Sequence, residues 1–369
     1  MALQAINNMR PKANKGKNKM KKMIFLFGVL SLNTTLAVEL TYKTECIGSY
    51  TLDLPDNLEV ALYPTNKYLK PKSRFPIYFQ DGKWTILSAF NYNQNNLSIT
   101  AKWNDEELKK AKHQIAIENS NVKNSNFNDM VEIWEKDNNL GFYTKNGARV
   151  TFIDKNRIYS FFTNDYRQAE EKNFDFYKDN VEAIINGFSP RELFEVPPTA
   201  GKCIPFGFVA GDNSNIPLIL TVSFRLKEHP DIVISFTENT SPFTNLLRYD
   251  AKEEINLFWN SNYDISNRNI KNIKLLGFPI KYRDIKMDGR NGLAGFVEIR
   301  YKDKSPSDYG YYAVVEPYQT KKEGHNPWLQ LLVVGKQKES KGKTPLTKDE
   351  IYQIAKTIEA SIKLRETEQ

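Results

Sequence analysis

The chain has 369 residues, enough at roughly 100 to 200 residues per domain for two cores. Its 40% hydrophobic, 12% aromatic and 26% charged residues, with 18 Gly and 17 Pro, exclude wholesale disorder and collagen-like structure. The net charge of +8 is local: Arg10, Lys12, Lys15, Lys17, Lys19, Lys21 and Lys22 place seven cations in an acid-free stretch, leaving +1 for the rest and no excess to drive nucleic-acid binding.

That basic run leads into the apolar stretch from Met23 to Leu32, and then into Thr35-Leu36-Ala37, with small residues at the two positions a signal peptidase reads. A bilayer span needs about 20 apolar residues, so this stretch does not cross as a membrane helix. Residues 1–37 read as an export signal cleaved near Ala37. An N-terminal buried strand is the alternative, and seven uncompensated cations ahead of a core strand argue against it. Met20 followed by Lys21 and Lys22 would itself begin a compact signal. Cys46 follows Lys43, Thr44 and Glu45 rather than small residues, so no lipid anchor is expected. The expected product starts near Val38, lies in the oxidising periplasm and keeps no stable membrane insertion.

From Cys46 to Leu54, Tyr50, Leu52 and Leu54 alternate with Ser49, Thr51 and Asp53, the period of a half-buried strand. Short alternating runs follow at 58–63, 84–90, 97–103, 131–135, 148–154 and 158–162, separated by Asn, Asp and Gly, which predicts an antiparallel meander. Asn104 with Glu107 predicts a capping box opening a helix through Leu108, Ala111 and Ile115. A second helix carries Phe174, Tyr177, Val181, Ile184, Ile185 and Phe188 on one face.

Gly187-Phe-Ser-Pro190 and Val196-Pro-Pro-Thr-Ala-Gly201 read as a linker, placing a boundary near 190–200 and dividing the chain into 38–192 and 193–369. Cys203 opens the second half as Cys46 opens the first. Strands are predicted at 218–226, 232–236, 273–282, 294–301, 309–315 and 328–335. Asp250 with Glu253 caps one helix, and Thr347 with Glu350 caps a last one whose stripe is Ile351, Ile354, Ala355, Ile358 and Ile362. The shared order predicts a duplicated α+β fold of two similar domains, each an antiparallel sheet with helices packed on one face.

Signatures of catalysis are missing. No Gly-x-Ser-x-Gly elbow occurs, and the three histidines, His113, His229 and His325, fall on a polar helix face or in turns with no nucleophile beside them. No Cys-x-x-Cys, His-x-x-x-His or calcium-loop spacing is present. Gly289, Gly292 and Gly295 fit a β-turn better than a phosphate cradle. The expectation is a protein without catalytic, metal or cofactor-binding residues. Trp84, Trp103, Trp134, Trp259 and Trp328 sit in apolar alternating runs, where core packing outweighs an interface role.

Residues 46–55 resemble the opening of the N-terminal domain of immunity proteins that neutralise type VI secretion lipase effectors. The segments Gly201-Lys-Cys203, Gly207-Phe-Val-Ala210 and Thr221 to Asp231 resemble the start of that family's C-terminal domain, with its strand, His-Pro turn and strand. Residues 288–296 take the place of a glycine-containing turn that relatives often follow with acids, and here Phe296 and Val297 follow instead. The resemblance spans about residues 45–335. It implies a periplasmic two-domain clamp that binds a cognate Tle-type phospholipase toxin, blocks it and protects producer and kin cells, with no chemistry of its own. Such a protein must capture its toxin quickly through a large interface. The resemblance assigns no effector-binding residues. The alternatives are an exported envelope scaffold or ligand-binding protein unrelated to toxins and, more weakly, a periplasmic enzyme with a dispersed site.

An exported chain with two cysteines has one possible intramolecular pairing, Cys46 with Cys203. Two separately buried thiols are the alternative, since a bridge requires Cα atoms within about 7 Å.

Overall fold

The computed structural model describes residues 40–367 apart from 69–76, 84, 86, 123–130, 138, 145–146, 165–173, 212–215, 241–249, 264–268, 278–280 and 318–325. Residues 38–369 form one compact unit. It opens with the hairpin β1 (Tyr42–Ile47) and β2 (Tyr50–Pro55), followed by β3 (Leu58–Val60), a helical turn α1 (Thr65–Tyr68), β4 (Ala89–Tyr92) and β5 (Asn95–Ile99). Helix α2 (Asp105–Asn121) precedes β6 (Val131–Lys136), β7 (Asn139–Thr144), β8 (Gly147–Asp154) and β9 (Arg157–Asn164). Helix α3 (Phe174–Gly187) and the short β10 (Phe188–Pro190) complete this series.

A second series repeats it. The hairpin β11 (Gly201–Ile204) and β12 (Gly207–Ala210) leads to β13 (Leu218–Leu226), β14 (Ile232–Asn239) and α4 (Ala251–Leu257), which runs into a π-helical turn, Phe258–Asn262. Strands β15 (Ile270–Leu275), β16 (Tyr282–Met287), β17 (Arg290–Tyr301), β18 (Asp308–Val315) and β19 (Trp328–Gly335) follow, then α5 (Lys348–Ser361) and β20 (Lys363–Leu364).

The predicted caps are present. Asn104 accepts from Glu107 N, Asp250 from Glu253 N, and Thr347 and Glu350 form a reciprocal capping box. Each satisfies backbone donors that a first helical turn leaves open.

Both series build one 14-stranded sheet through antiparallel ladders, ordered β15-β17-β18-β19-β14-β13-β4-β5-β9-β8-β7-β6, with β16 beside β17 and β3 beside β13. Outward from the β4–β13 contact, the first repeat runs β4-β5-β9-β8-β7-β6 and the second runs β13-β14-β19-β18-β17-β15. The duplication inferred from pattern is thus a repeated topology, and the α+β class holds.

The expected single layer of helices is replaced by two. Tyr311, Ala313 and Val315 of β18 pack with Ile351, Ile354, Ala355 and Ile358 of α5, whereas Tyr312 and Val314 pack with Ile255, Phe258 and Trp259 on the other face. The first repeat does the same, with Tyr177, Val181 and Ile184 of α3 in the main core and Ala111 and Ile115 of α2 against Leu140 and Ile158 opposite. Near-continuous apolar strands have two faces to bury, so helices are needed on both.

Strand β7 was not predicted, because Asn139 and Gly141 read as turn residues. In the sheet, Gly141 is required by crowding: a Cβ there would meet the Arg149 carbonyl and the Trp134 ring. The expected strand over 273–282 is instead two strands, β15 and β16, lying one after the other along β17. Of the three glycines expected in one turn, only Gly289 turns, beside Asp288 with φ +53°; Gly292 and Gly295 lie inside β17.

Candidate functional site

The repeats exchange their opening hairpins. Strand β2 of the first pairs with β20 at the end of the second, while β12 of the second pairs with β10 at the end of the first. The hairpins meet where Gly48 N donates to Cys203 O at 2.7 Å and Cys203 N donates to Gly48 O at 2.8 Å. Gly48 has φ +59°, and a Cβ there would strike the Glu238 carboxylate, so this crossing admits only glycine. Beside it Cys46 and Cys203 are disulfide-bonded, with Cα atoms 5.7 Å apart and both side chains fully buried.

Three buried charged groups surround the crossing. Arg191, just past β10, pairs with Glu45 of β1 and donates to the carbonyls of Cys46 at 2.9 Å and Gly207 at 3.1 Å. Lys202 of β11 lies 3.3 Å from Glu238 of β14, whose carboxylate also accepts from Ser49 N at 2.6 Å and Ser49 Oγ at 3.0 Å. Arg365, just past β20, donates to the carbonyls of Thr199 and Gly201, each at 2.7 Å, and its guanidinium sits 5.2 Å from the Phe208 ring centre. Burial, and then the nearby Arg191 charge, lower the pKa of Arg365. These groups tie both hairpins, the linker and the C-terminal tail together. None of this was legible beforehand: Glu45 and Lys202 read as ordinary polar positions, and the one hint was their equivalent place immediately before each cysteine.

The second repeat also holds an open cavity of about 700 Å³ between α5 and strands β16 to β18, lined by Arg283, Phe296, Tyr311, Lys348 and Tyr352 among others. Tyr311 and Arg283 both bond Glu359, which is 3% exposed. Burial, and next the Glu359 charge, push the Tyr311 hydroxyl far above the ordinary phenol range, so it stays a proton donor.

At the start of β18, Asp308 accepts from Tyr301 Oη and from Gln337 N, and burial pushes its pKa up to about 6 against those bonds. Asp231, 1% exposed at the start of β14, is likewise raised by burial.

His113 is exposed on α2, and His229 lies in the turn before β14. His325 and Trp84 fall outside the described residues. Trp103 is buried and donates to Thr100 Oγ1 at 2.8 Å, Trp259 is buried beneath β18, and Trp134 and Trp328 are half-buried. Among the described residues no group of three His, Cys, Asp or Glu side chains is placed to hold a metal ion. No described helix is long and apolar enough to cross a membrane. The exposed large hydrophobic side chains Ile117, Phe162 and Leu364 lie on three different elements.

No curated protein sequence matches the chain. Solved structures do. An apo structure of the immunity protein TplEi of the T6SS from Pseudomonas aeruginosa aligns with TM-score 0.53 and 16% identity over 89% of this chain and 98% of that one. The same protein complexed with a peptide named "L" aligns with TM-score 0.52 and 14% identity over 88% and 99%. A chain of the Tle4–Tli4 complex aligns with TM-score 0.52 and 16% identity over 89% and 98%. At such identities the likeness is one of fold, and it extends over both repeats. Residues 195–367, which hold the β11–β12 hairpin, the cavity and α5, match the family of Tle cognate immunity protein 4 C-terminal domains.

Proposed function

We propose that this chain is an immunity protein that binds and inhibits a type VI secretion phospholipase effector in the periplasm, shielding producer and kin cells from membrane damage. The observation that carries the reading is the family match over 195–367, and the recurrence of the whole two-repeat frame in TplEi and in the Tle4–Tli4 complex supports it. The protein acts by binding alone. Its buried charges serve the fold, and a junction tied by a disulfide and ion pairs favours a surface organised before the toxin arrives, which lowers the cost of association. Residues 1–37 act as the export signal, and 38–192 and 193–369 as the two repeats.

The test mixes the purified mature chain with its cognate phospholipase effector. Phospholipid hydrolysis should fall to background near one equivalent, and the chain alone should release no fatty acid. An effector rate unchanged by excess chain removes the reading.

A further inference from the structure

One place in the fold is filled in the first repeat and open in the second. Where α3 begins, Phe174 lies 5.0 Å from the Tyr143 ring, and Tyr143 lies 5.8 Å from Trp134, so the wedge between helix and outer strands is closed by the chain's own aromatic side chains. Where α5 begins, the first residues are Lys348 and Asp349, and the cavity of about 700 Å³ takes up the wedge. Its apolar surface is aromatic: Tyr352 stands 5.3 Å from Phe296 and 5.9 Å from Tyr311.

The polar lining is cationic in balance. Glu359 is answered twice, by Arg283 and by Lys356, and the rim adds Lys281 and Lys348 against Asp284 and Asp349, so the cations exceed the carboxylates by one. Arg283 is pinned through Nη2 by Tyr311 and Glu359, its Nη1 lies 3.4 Å from the Asp284 carbonyl, and its side chain stays 35% exposed at the cavity. The N-terminus of α5 is already satisfied by Thr347 and Glu350, so the side chains define what the cavity takes.

We propose that this cavity receives a loop of the effector carrying an aromatic side chain next to a carboxylate. The ring would pack against Phe296 and Tyr352, as Phe174 packs edge-to-face on Tyr143 in the first repeat, and the carboxylate would meet Arg283, Lys281 and Lys348. A preset arginine beside tyrosines in a recess is the kind of place where binding energy concentrates. The inference rests on the proposed function and adds the location and chemistry of the contact.

The test uses the full mature chain and its cognate phospholipase effector, with affinity read by calorimetry and protection by hydrogen exchange. Lys348→Phe places an aromatic ring in the wedge, as Phe174 does in the first repeat. The double change Lys281→Glu, Lys348→Glu reverses the rim. Both sites are exposed, so the thermal midpoint should hold, while each variant should weaken binding by about tenfold or more. The effector should protect residues 281–287 and 348–352 from exchange. Lys110→Glu, on the exposed face of α2, serves as the control and should bind as the parent does. If both cavity variants bind and inhibit like the parent, or protection falls elsewhere, the docking site is overturned and the proposed function stands. If the parent chain neither binds nor inhibits, both fall.

Discussion

Arg191 and Arg365 occupy the same position in the two repeats, each just beyond the short strand that follows the closing helix, yet they meet different partners. Arg191 finds the carboxylate of Glu45 immediately before Cys46, whereas at the matching place before Cys203 stands Lys202, and Arg365 turns to backbone carbonyls. Lys202 is served instead by Glu238. The duplicated frame has kept its geometry at the crossing while exchanging one ion pair for another.

Breaking the Glu45–Arg191 pair from one side should be costly. Arg191→Met leaves a buried carboxylate, and Glu45→Gln a buried guanidinium, so each should lower the unfolding free energy by about 3 to 5 kcal/mol. The double variant should lose less than the sum of the two. Urea titrations of the three variants and the parent give the coupling directly, and additive losses would show that the pair does not act as a unit.

The disulfide predicts no reactive thiols in denatured, unreduced protein and two after reduction. Replacing both cysteines by serine should lower stability by about 2 to 4 kcal/mol, less than a full chain-entropy estimate for so long a loop, because the surrounding ladders already restrain the hairpins. Two thiols reacting without reductant would rule out the bridge.

Asp308 predicts a specific pH dependence. Its folded-state pKa of about 6 lies above the ordinary carboxylate value near 3.9, so between those pH values the folded chain holds a proton that the unfolded chain has released. The stability from this group is fully present below about pH 4 and is lost as pH rises through 6. Asp308→Asn should flatten the fall in unfolding free energy between pH 4.5 and 7, and an unchanged slope would assign it to other groups.

Export predicts Val38 or a close neighbour as the first residue of protein recovered from a periplasmic fraction. Intact mass spectrometry that still finds the cations from Arg10 to Lys22 would contradict it.

Local chemistry is what the sequence revealed. Asn104, Asp250 and Thr347 announced their helices because a capping side chain and its partner lie three residues apart. Cys46 and Cys203 announced the duplication because each begins the same strand pattern. Strand β7 stayed hidden because Gly141 answers to Trp134 and Arg149, which come close only once the sheet has formed. Helices on both faces followed from long strands whose second apolar face reads, in isolation, as mere hydrophobicity. The cavity was invisible for a related reason: its walls come from Arg283, Phe296, Tyr311 and Tyr352, spread over four elements and about 70 residues.

The exchanged hairpins also set an order of events. Strand β2 finds its partner in β20, about 300 residues later, so the opening hairpin has no final seat until the last turn of α5 has emerged. A chain that enters its compartment N-terminus first must keep Cys46 unpaired until Cys203 arrives, and the outer edge of β2 open until β20 follows. Completion is therefore registered at the outer edge of β2: a chain cut short before Lys363 lacks β20 and leaves that edge open, while the crossing at Gly48 and Cys203 can still form.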